Sequence, residues 1–405
     1  MRVSGPARAV PSVPLVVLVL SLLLGLQPVT TDLYLPGLPA LSAEFGGLMG
    51  QAQLTLSGLI LAFGLAQLAM GPLSDRFGRR PVLLAGLALY LVGSGLSAAA
   101  PHISALIGGR VLQGVGLAAS VVCGRAMVRD LYDPVRGTLM MSRGQSGLGI
   151  AALCSPALGG LLASSFGWRS TFLATGIFAA GALALVAWKL PETAPQRVPG
   201  AMRPAALAAN WARIARHPSF RAWTLLLTCT YGGLYTFLAA SAFVYIGVLG
   251  ASQSTYGLLM ASASSSYLLG TVACRRWVAR VGVRRAVARA GVLSCVAGVS
   301  VAGLSLAGVT AVWAICLPQA MYSFAHGIHQ PCGQAGVVGP FPSSAGAASS
   351  LSGFVLAAAA FGIGMGLGRT LGGTVLPLTL TVGLLGVLTS VTAWTLVQRH
   401  GQPAS

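Results

Sequence analysis

The amino-acid sequence predicts an all-α membrane protein with twelve transmembrane helices in two six-helix bundles. Of its 405 residues, 55% are hydrophobic and only 8% are charged, whereas a soluble domain carries about 25% charged residues. Apolar stretches of about 20 residues, long enough for a helix to cross a bilayer, recur along the whole chain. The strands of a membrane β-barrel would alternate apolar and polar residues, and these stretches do not.

The apolar stretches give the order of the helices. The first follows Arg2 and Arg8 and resembles a signal peptide, but it lacks a clear cleavage site and many spans follow, so we predict a membrane helix. The longest polar stretch, 191–220, is rich in proline and arginine and is predicted to link a bundle at 1–190 to a bundle at 221–405. The twelve spans are expected near residues 13–34, 50–71, 81–100, 103–124, 139–163, 170–189, 221–248, 255–275, 285–307, 310–334, 344–367 and 373–397.

The distribution of charge predicts the orientation. The net charge is +19, but the basic residues lie in short clusters between spans rather than on one surface, which argues against nucleic acid as a partner. With the N-terminus in the cytoplasm, all basic residues except Arg110, Arg169 and Arg369 lie inside or at the cytoplasmic boundary, as the positive-inside rule requires. An even number of spans puts both termini there. We expect a multi-pass protein of the bacterial cytoplasmic (inner) membrane whose arginines attract the headgroups of the lipid bilayer.

The sequence contains no pattern typical of an enzyme or a metalloprotein. Seven cysteines are scattered singly, without the spacing of a disulfide framework or a zinc site, and are predicted to be small packing residues. No metal cluster, nucleophile triad or nucleotide loop is apparent. We therefore expect no enzymatic activity, no metal and no cofactor.

The stretch GPLSDRFGRRP begins at Gly71, between the second and third predicted helices. It resembles the loop signature of the major facilitator superfamily and so implies that fold. The resemblance implies that Asp75 faces the N-terminus of the eleventh helix, where negative charge is favoured, and that Arg79 pairs with Asp130. The alternative is that the arginines only fix the topology. The implied cytoplasmic latch comprises Gly71, Asp75, Arg76, Gly78, Arg79, Arg80 and Asp130.

Two further motifs lie on the fourth and fifth helices. The stretch GGRVLQGVGLAAS at 108–120 resembles the second signature of the superfamily and puts Arg110 inside a span. A charge there is costly and indicates a water-filled cavity or an ion partner; the alternative is that the side chain snorkels to the outer surface. The stretch GIAALCSPALGG at 149–160 resembles the motif of the exporters and favours export, whereas a proline-kinked packing helix would give no direction. Its residues are Ser155, in place of a glycine, Pro156, Gly159 and Gly160.

Four segments narrow the resemblance to one branch. They are TTDLYLPGLPALSAEFG from Thr30, GWRSTF from Gly167, LPET from Leu190 and GPFPSSAGAASSL from Gly339. Together they resemble the bicyclomycin/chloramphenicol-resistance (Bcr/CflA) branch of the drug:proton antiporters. This resemblance implies a proton-driven exporter of one or several drugs.

Proton coupling requires a titratable group inside the membrane, and Asp32 is the one suitable carboxylate. Burial favours its protonated form and a nearby cation such as Arg110 favours the charged form, so a proton and a substrate can compete for it. The alternative is an acid that caps the outer end of the first helix. Further residues could line the cavity or, in the case of the two histidines, titrate; the alternative for the aromatic residues and the histidines, and the more common role of such residues, is packing between helices. These candidates are Tyr34, Gln113, Tyr231, Tyr235, His326 and His329.

The leading functional hypothesis is proton-coupled efflux of drugs or other small molecules by alternating access. The substrate is expected to be drug-like, cationic or amphenicol-like, and the protein to act as a monomer. Two alternatives share the fold, namely export of an endogenous metabolite or antibiotic and proton-coupled uptake. A third, from another class, is a membrane receptor or scaffold that transports nothing.

Overall fold

A computed structural model of the chain describes residues 12–46, 49–132, 134–194 and 203–401. Almost all of this part is helical. A 3-10 turn, Leu35–Gly37, follows the first helix, and a π-helical segment, Phe243–Val248, extends the ninth. The helices are α1 (Val13–Asp32), α2 (Leu38–Glu44), α3 (Met49–Phe77), α4 (Arg79–Ala98), α5 (Ile103–Leu131), α6 (Pro134–Phe166), α7 (Arg169–Lys189), α8 (Pro204–Arg216), α9 (Pro218–Ala242), α10 (Gln253–Leu306), α11 (Val312–Val338), α12 (Ala345–Thr370), α13 (Leu376–Trp394) and α14 (Leu396–His400).

The described helices account for the twelve predicted spans. Ten segments are long and apolar enough to cross a membrane. One of them, α10, is 54 residues long and bends at Gly282, whose backbone has φ 78° and ψ 165°; it therefore contains two spans in one hydrogen-bonded run. A left-handed φ of this kind is readily adopted only by glycine. The remaining span is α11, which is less apolar because it carries Gln319, His326 and His329.

The predicted linker is partly helical. Within 191–220 the structure shows α8, a short helix with basic residues in its last turn and Ile214 buried against the C-terminal half. No helix was predicted for this stretch from the sequence. Residues 195–202, with Arg197, lie outside the described residues, as do Arg2, Arg8 and Asp133. The bundle boundaries at 190 and 221 stay predictions.

Small residues allow the helices to approach closely. A methyl group on Gly86 of α4 would meet the side chain of Ala119 of α5, and one on Gly109 would lie 2.9 Å from the carbonyl oxygen of Gly93. In lipid, where apolar burial between helices gives little driving force, such close packing is a main source of helix association. Glycine is therefore structural at these contacts.

The two ends of the bundle differ in their packing. At the arginine-rich end, which carries Arg79, Arg125 and Arg284, each half has an apolar core of its own. At the opposite end one continuous core contains residues of both halves, such as Leu38 from the first and Phe237 from the second. The halves are thus closed against each other at this opposite end.

Candidate functional site

Asp32 lies at the C-terminus of α1, where the helix gives way to the 3-10 turn. Its side chain is buried, and its carboxylate accepts a hydrogen bond of 2.6 Å from the hydroxyl of Thr31. The turn that follows Asp32, Leu35–Gly37, packs against α9 and α10. Asp32 therefore lies at the place where the first half meets the second half of the protein. The other acids within the described ranges lie near the ends of helices.

Arg110 lies on α5 and is completely buried. Its guanidinium donates to the carbonyl oxygens of Thr30 and Thr55, at 3.1 and 3.0 Å, and to the amide oxygen of Gln113 at 2.8 Å. The ring of Tyr34 lies 4.2 Å from the guanidinium carbon, within the range of a cation–π contact. The side chain therefore points into the first half and does not snorkel.

Between the described side chains of Arg110 and Asp32 there is no ion pair; Arg110 binds the backbone of α1 two residues before Asp32. The carbonyl oxygen of Thr30 is in the last turn of α1, where carbonyls lack partners within the helix. A cationic donor is favourable at such a helix end. Among the described contacts no ion pair joins Arg110 to Asp32, so Arg110 acts on the carboxylate by fixing the backbone two residues before it.

Gln113 belongs to the interior of the first half. Its amide nitrogen donates to the hydroxyl of Ser94 on α4 at 2.8 Å, while its oxygen accepts from Arg110. Beside it, the hydroxyl groups of Thr30 and Tyr90 lie 2.7 Å apart. Thr30, Ser94 and Tyr90 were not predicted from the sequence, because single threonines, serines and tyrosines in apolar stretches carry no distinguishing pattern.

The predicted aromatic residues of α9 lie at the contact between the halves. The rings of Tyr231 and Tyr235 are 6.4 Å apart, and the hydroxyl group of Tyr235 is buried without a hydrogen-bond partner in the described part of the chain. A methyl group on Gly364 of α12 would lie 2.8 Å from this hydroxyl and 2.9 Å from Ser57 of α3. Tyr235 therefore fills the space between α3 and α12.

The two histidines of α11 occupy a separate place, inside the second half. The Nδ1 atom of His326 lies 3.1 Å from the hydroxyl of Thr230, and its ring packs on Tyr267 at 5.7 Å. The Nε2 atom of His329 lies 3.3 Å from the hydroxyl of Ser294. Hydrogen bonds of this kind are typical of packed histidines, and the structure does not bring either ring to Asp32.

The loop between α3 and α4 centres on Arg79, which is buried. Its guanidinium contacts Asp75 at 2.6 Å and Asp130 at 2.9 Å, and donates to the hydroxyl of Ser74. The pair with Asp130 is the one that the resemblance implied. For Asp75 the resemblance implied the N-terminus of α12, but the contact that the structure gives is Arg79.

A carboxylate distant in sequence completes this loop. Glu192 accepts hydrogen bonds from the backbone N–H groups of Arg79 and Arg80, at 2.9 and 3.3 Å, and so caps the N-terminus of α4. The residue before the helix, Gly78, has φ 105° and no side chain to do this. The guanidinium of Arg80 donates to the carbonyl oxygen of Ala187 at 2.7 Å. This cap could not be predicted from the sequence, because Glu192 and Arg79 are 113 positions apart.

The remaining predicted residues of this loop, Gly71 and Arg76, make local contacts. Gly71 accepts a hydrogen bond of 2.9 Å from Ser74 through its carbonyl oxygen. The guanidinium of Arg76 lies 5.2 Å from the ring of Phe77. The loop is thus organised by Arg79, with these residues around it.

The motif of α6 lies at two interfaces at once. A methyl group on Gly159 would meet the backbone of Leu33, the residue after Asp32, and one on Gly160 would lie 2.7 Å from the carbonyl oxygen of Gln253 at the start of α10. A methyl group on Gly257 of α10 would lie 2.6 Å from the carbonyl oxygen of Pro156. Ser155 is buried beside them. The small residues therefore bring α6 against α1 on one side and against the second half on the other.

No candidate metal centre is present in the described residues, where no group of three or more histidine, cysteine, aspartate or glutamate side chains could hold an ion. The protein consists of two halves built from long helices, which pack together at one end and have a buried carboxylate where they meet. This arrangement defines an α-helical membrane transporter of the two-bundle class.

The comparisons with known proteins give the family. Residues 20–365 match the Major Facilitator Superfamily, and the chain belongs to it. The chain is 28% identical to multidrug resistance protein D of Escherichia coli, over 83% of this chain and 84% of that protein. It is 32% identical to a chloramphenicol resistance protein of Pseudomonas aeruginosa, over 70% of this chain and 65% of that protein. It is 24% identical to a bicyclomycin resistance protein homolog of Haemophilus influenzae, over 95% of this chain and 96% of that protein. The predicted family and its Bcr/CflA branch are confirmed.

Solved structures confirm the predicted fold. The crystal structure of a D-xylose-proton symporter has a TM-score of 0.74 at 16% identity and covers 96% of this chain and 99% of its own. An inward open conformation of the xylose transporter XylE from E. coli has a TM-score of 0.75 at 14% identity, with 95% and 96% covered. At these identities the likeness concerns the fold alone.

Proposed function

We propose that this protein exports drug-like small molecules across the cytoplasmic membrane in exchange for protons, by alternating access. The observation that carries the proposal is Asp32, a carboxylate buried within the membrane-spanning part at the end of α1, where the following turn packs against α9 and α10 of the other half. The names of the relatives, which refer to resistance to several drugs, chloramphenicol or bicyclomycin, support a drug-like substrate. The α6 motif around Pro156 supports export.

The arginine-rich end is proposed to face the cytoplasm, together with both termini. The support is the positive-inside rule, since Arg79, Arg125 and Arg284 lie at that end with most of the other basic residues. Asp32 is then near the outer end of α1, beneath the core that the two halves share. The conformation described here is accordingly closed toward the outside.

In the proposed cycle a proton and the substrate compete for the Asp32 carboxylate. Protonation neutralises the side chain and suits its buried position, whereas a cationic or hydrogen-bonding substrate suits the ionised form. Tyr231 and Tyr256 are proposed to contact a substrate bound there, because they belong to α9 and α10, which pack against the turn after Asp32. Arg110 has a positioning role, since it holds the last turn of α1. The loop around Arg79 would hold α3 and α5 together at the cytoplasmic end, because its ion pairs with Asp75 and Asp130 lie within the first half.

The proton gradient is an adequate energy source for this exchange. One inward proton yields about 2.3 kcal/mol per 100 mV of membrane potential and about 1.4 kcal/mol per pH unit. For a neutral substrate exchanged one for one, these terms together support a gradient of roughly a few hundred-fold.

The test is proton release from the purified protein when chloramphenicol or tetraphenylphosphonium is added, over a series of pH values. We expect release from the wild type and none from Asp32→Asn. The matched control is Glu44→Gln, which removes a carboxylate from the exposed pair of Glu44 with Arg169 at the same end and should release protons like the wild type. Unchanged release from Asp32→Asn would overturn the assignment of the coupling site.

The direction of transport needs a second experiment. Everted membrane vesicles that contain the protein should accumulate the labelled drug when respiration acidifies their interior, and vesicles with Asp32→Asn should not. Accumulation in right-side-out vesicles instead would indicate uptake. A receptor or scaffold that transports nothing would retain its function after Asp32→Asn.

A further inference from the structure

Two of the seven cysteines lie together in the second half. The sulfur atoms of Cys274 on α10 and Cys332 on α11 are 3.6 Å apart although 58 residues separate them in sequence. Cys274 also lies 3.8 Å from the carbonyl oxygen of Ile328. None of the other cysteines has a second cysteine at such a distance within the described ranges. The sequence did not indicate this contact, because the seven cysteines have no paired spacing.

The approach of the two thiols follows from the packing of their helices. A methyl group on Gly270 of α10 would meet the backbone of Phe324 of α11, and one on Gly327 would lie 2.9 Å from the backbone nitrogen of Thr271. With glycine on both sides, the backbones come close just one turn before Cys274 and Cys332. The pair is therefore held by the rigid packing of α10 on α11.

A cavity at the arginine-rich end reaches Cys332, one member of the pair. It has a volume of about 660 Å³ and is lined by Cys332 together with Trp223, Arg284, Arg285 and Gly336. The lining also includes Gly282 at the bend of α10, and both cysteine side chains are almost fully buried. A small molecule can thus reach Cys332 from the side that we propose to be cytoplasmic, where thiols stay reduced.

The spacing of the sulfurs selects the kind of ligand. A disulfide needs about 2.05 Å, so the pair is described as two thiols. Consider an atom bound to both sulfurs by bonds of about 2.3 Å, the length of a zinc–thiolate bond. The two sulfurs are then about 3.8 Å apart if the angle at this atom is tetrahedral, and about 4.6 Å apart if it is linear. The observed 3.6 Å therefore suits a bent thiophilic centre. Zinc would need further protein ligands, and the described residues contain no cluster of three.

We propose that Cys274 and Cys332 form a dithiol site for trivalent arsenic compounds. Trivalent arsenic is soft and pyramidal, needs only two sulfur ligands from the protein, and carries its own organic group or hydroxyl as the third substituent. In the reaction with an arsine oxide, R–As=O, two S–H and two As–O bonds break, two As–S bonds form, and both thiol protons leave with the oxygen as one water molecule. Arsenic stays trivalent and nothing is oxidised.

The test is the binding of phenylarsine oxide to the reduced, purified full-length protein, followed by intact-mass spectrometry. We expect one phenylarsenic group on the wild type with loss of two hydrogens, stable to a monothiol and removed by ethanedithiol. Cys274→Ser and Cys332→Ser should each abolish this adduct, while Cys295→Ser, which removes a cysteine without such a neighbour, should retain it. Gel filtration shows whether each variant is folded.

Three results would overturn the proposal. They are an adduct that survives in folded Cys332→Ser protein, an adduct that a monothiol removes, and the absence of any adduct on the folded wild type. If a serine variant does not fold, the same binding test is made with a double variant in which alanine replaces both Cys274 and Cys332, provided that this protein is monodisperse. The result does not depend on transport, so it is independent of the outcome for Asp32.

Discussion

Replacement of Glu192 by glutamine should destabilise the first half, although Glu192 lies in the connection after α7. One of its carboxylate oxygens accepts from the backbone N–H groups of Arg79, Thr193 and Ala194, each at 2.9 Å, and the other accepts from Arg80. Two of these donors belong to the first turn of α4, whose N–H groups have no partner within the helix.

The size of the expected loss of stability depends on how many of the hydrogen bonds of Glu192 a glutamine can still accept. Its carbonyl oxygen can replace the oxygen with three donors, but its amide group then faces the N–H of Arg80 and one hydrogen bond is lost, at about 0.5–1.5 kcal/mol. Loss of the negative charge at the helix N-terminus adds about 0.3–1 kcal/mol. We therefore expect Glu192→Gln to lower the free energy of unfolding by about 1–2 kcal/mol.

Thermal unfolding in detergent, followed by the loss of monodisperse protein, measures the effect. At roughly 2–4 °C per kcal/mol for a unit of about 200 residues, the midpoint should fall by several degrees. Glu44→Gln is the matched control. Its amide oxygen can still accept the hydrogen bond from the indole of Trp168, and the lost pair with Arg169 at 2.7 Å is 44% and 41% exposed, where ion pairs contribute about 0–1 kcal/mol. Equal midpoints for the two variants, or a lower one for Glu44→Gln, would refute the reasoning.

Three further predictions concern the site and its surroundings. Gly160→Val should abolish export at unchanged expression, because its side chain would collide with Gln253 when α6 closes on α10; drug resistance of a sensitive host measures this, and full resistance would contradict it. Arg110→Lys keeps the charge but cannot make all three hydrogen bonds, so it should lose about 2–3 kcal/mol of stability and weaken resistance; a wild-type unfolding midpoint would contradict it. His326→Gln, which can still bond to Thr230, should leave proton release unchanged; loss of release would move the coupling to α11.

The sequence was sufficient for the features that depend on composition and local motifs. The twelve spans could be placed because uninterrupted apolar stretches are visible one by one, and the contact of Arg79 with Asp130 followed from a motif. The bend at Gly282 was not foreseen, since an arginine-rich turn between two spans does not show that the helix continues through it.

The features that sequence could not give are those made by residues distant in the chain. Arg110 is satisfied mainly by backbone carbonyl groups, which carry no signal of residue type. The cap by Glu192 and the contact of Cys274 with Cys332 depend on packing that brings separate helices together. Single residues inside apolar stretches have no pattern, so their partners emerge only from the fold.

The position of Asp32 links its chemistry to the movement of the two halves. The carboxylate lies directly beside the apolar core that closes the outer end, and this core includes Leu38 and Phe237 from opposite halves. Opening to the outside must separate these side chains, at about 25 cal/mol for each Å² of apolar surface exposed. A charged carboxylate gains solvation when the core opens and a neutral one does not. In the proposed exchange, loss of the proton therefore favours opening and protonation favours the closed form described here, so the charge on one side chain biases which side of the membrane the site faces.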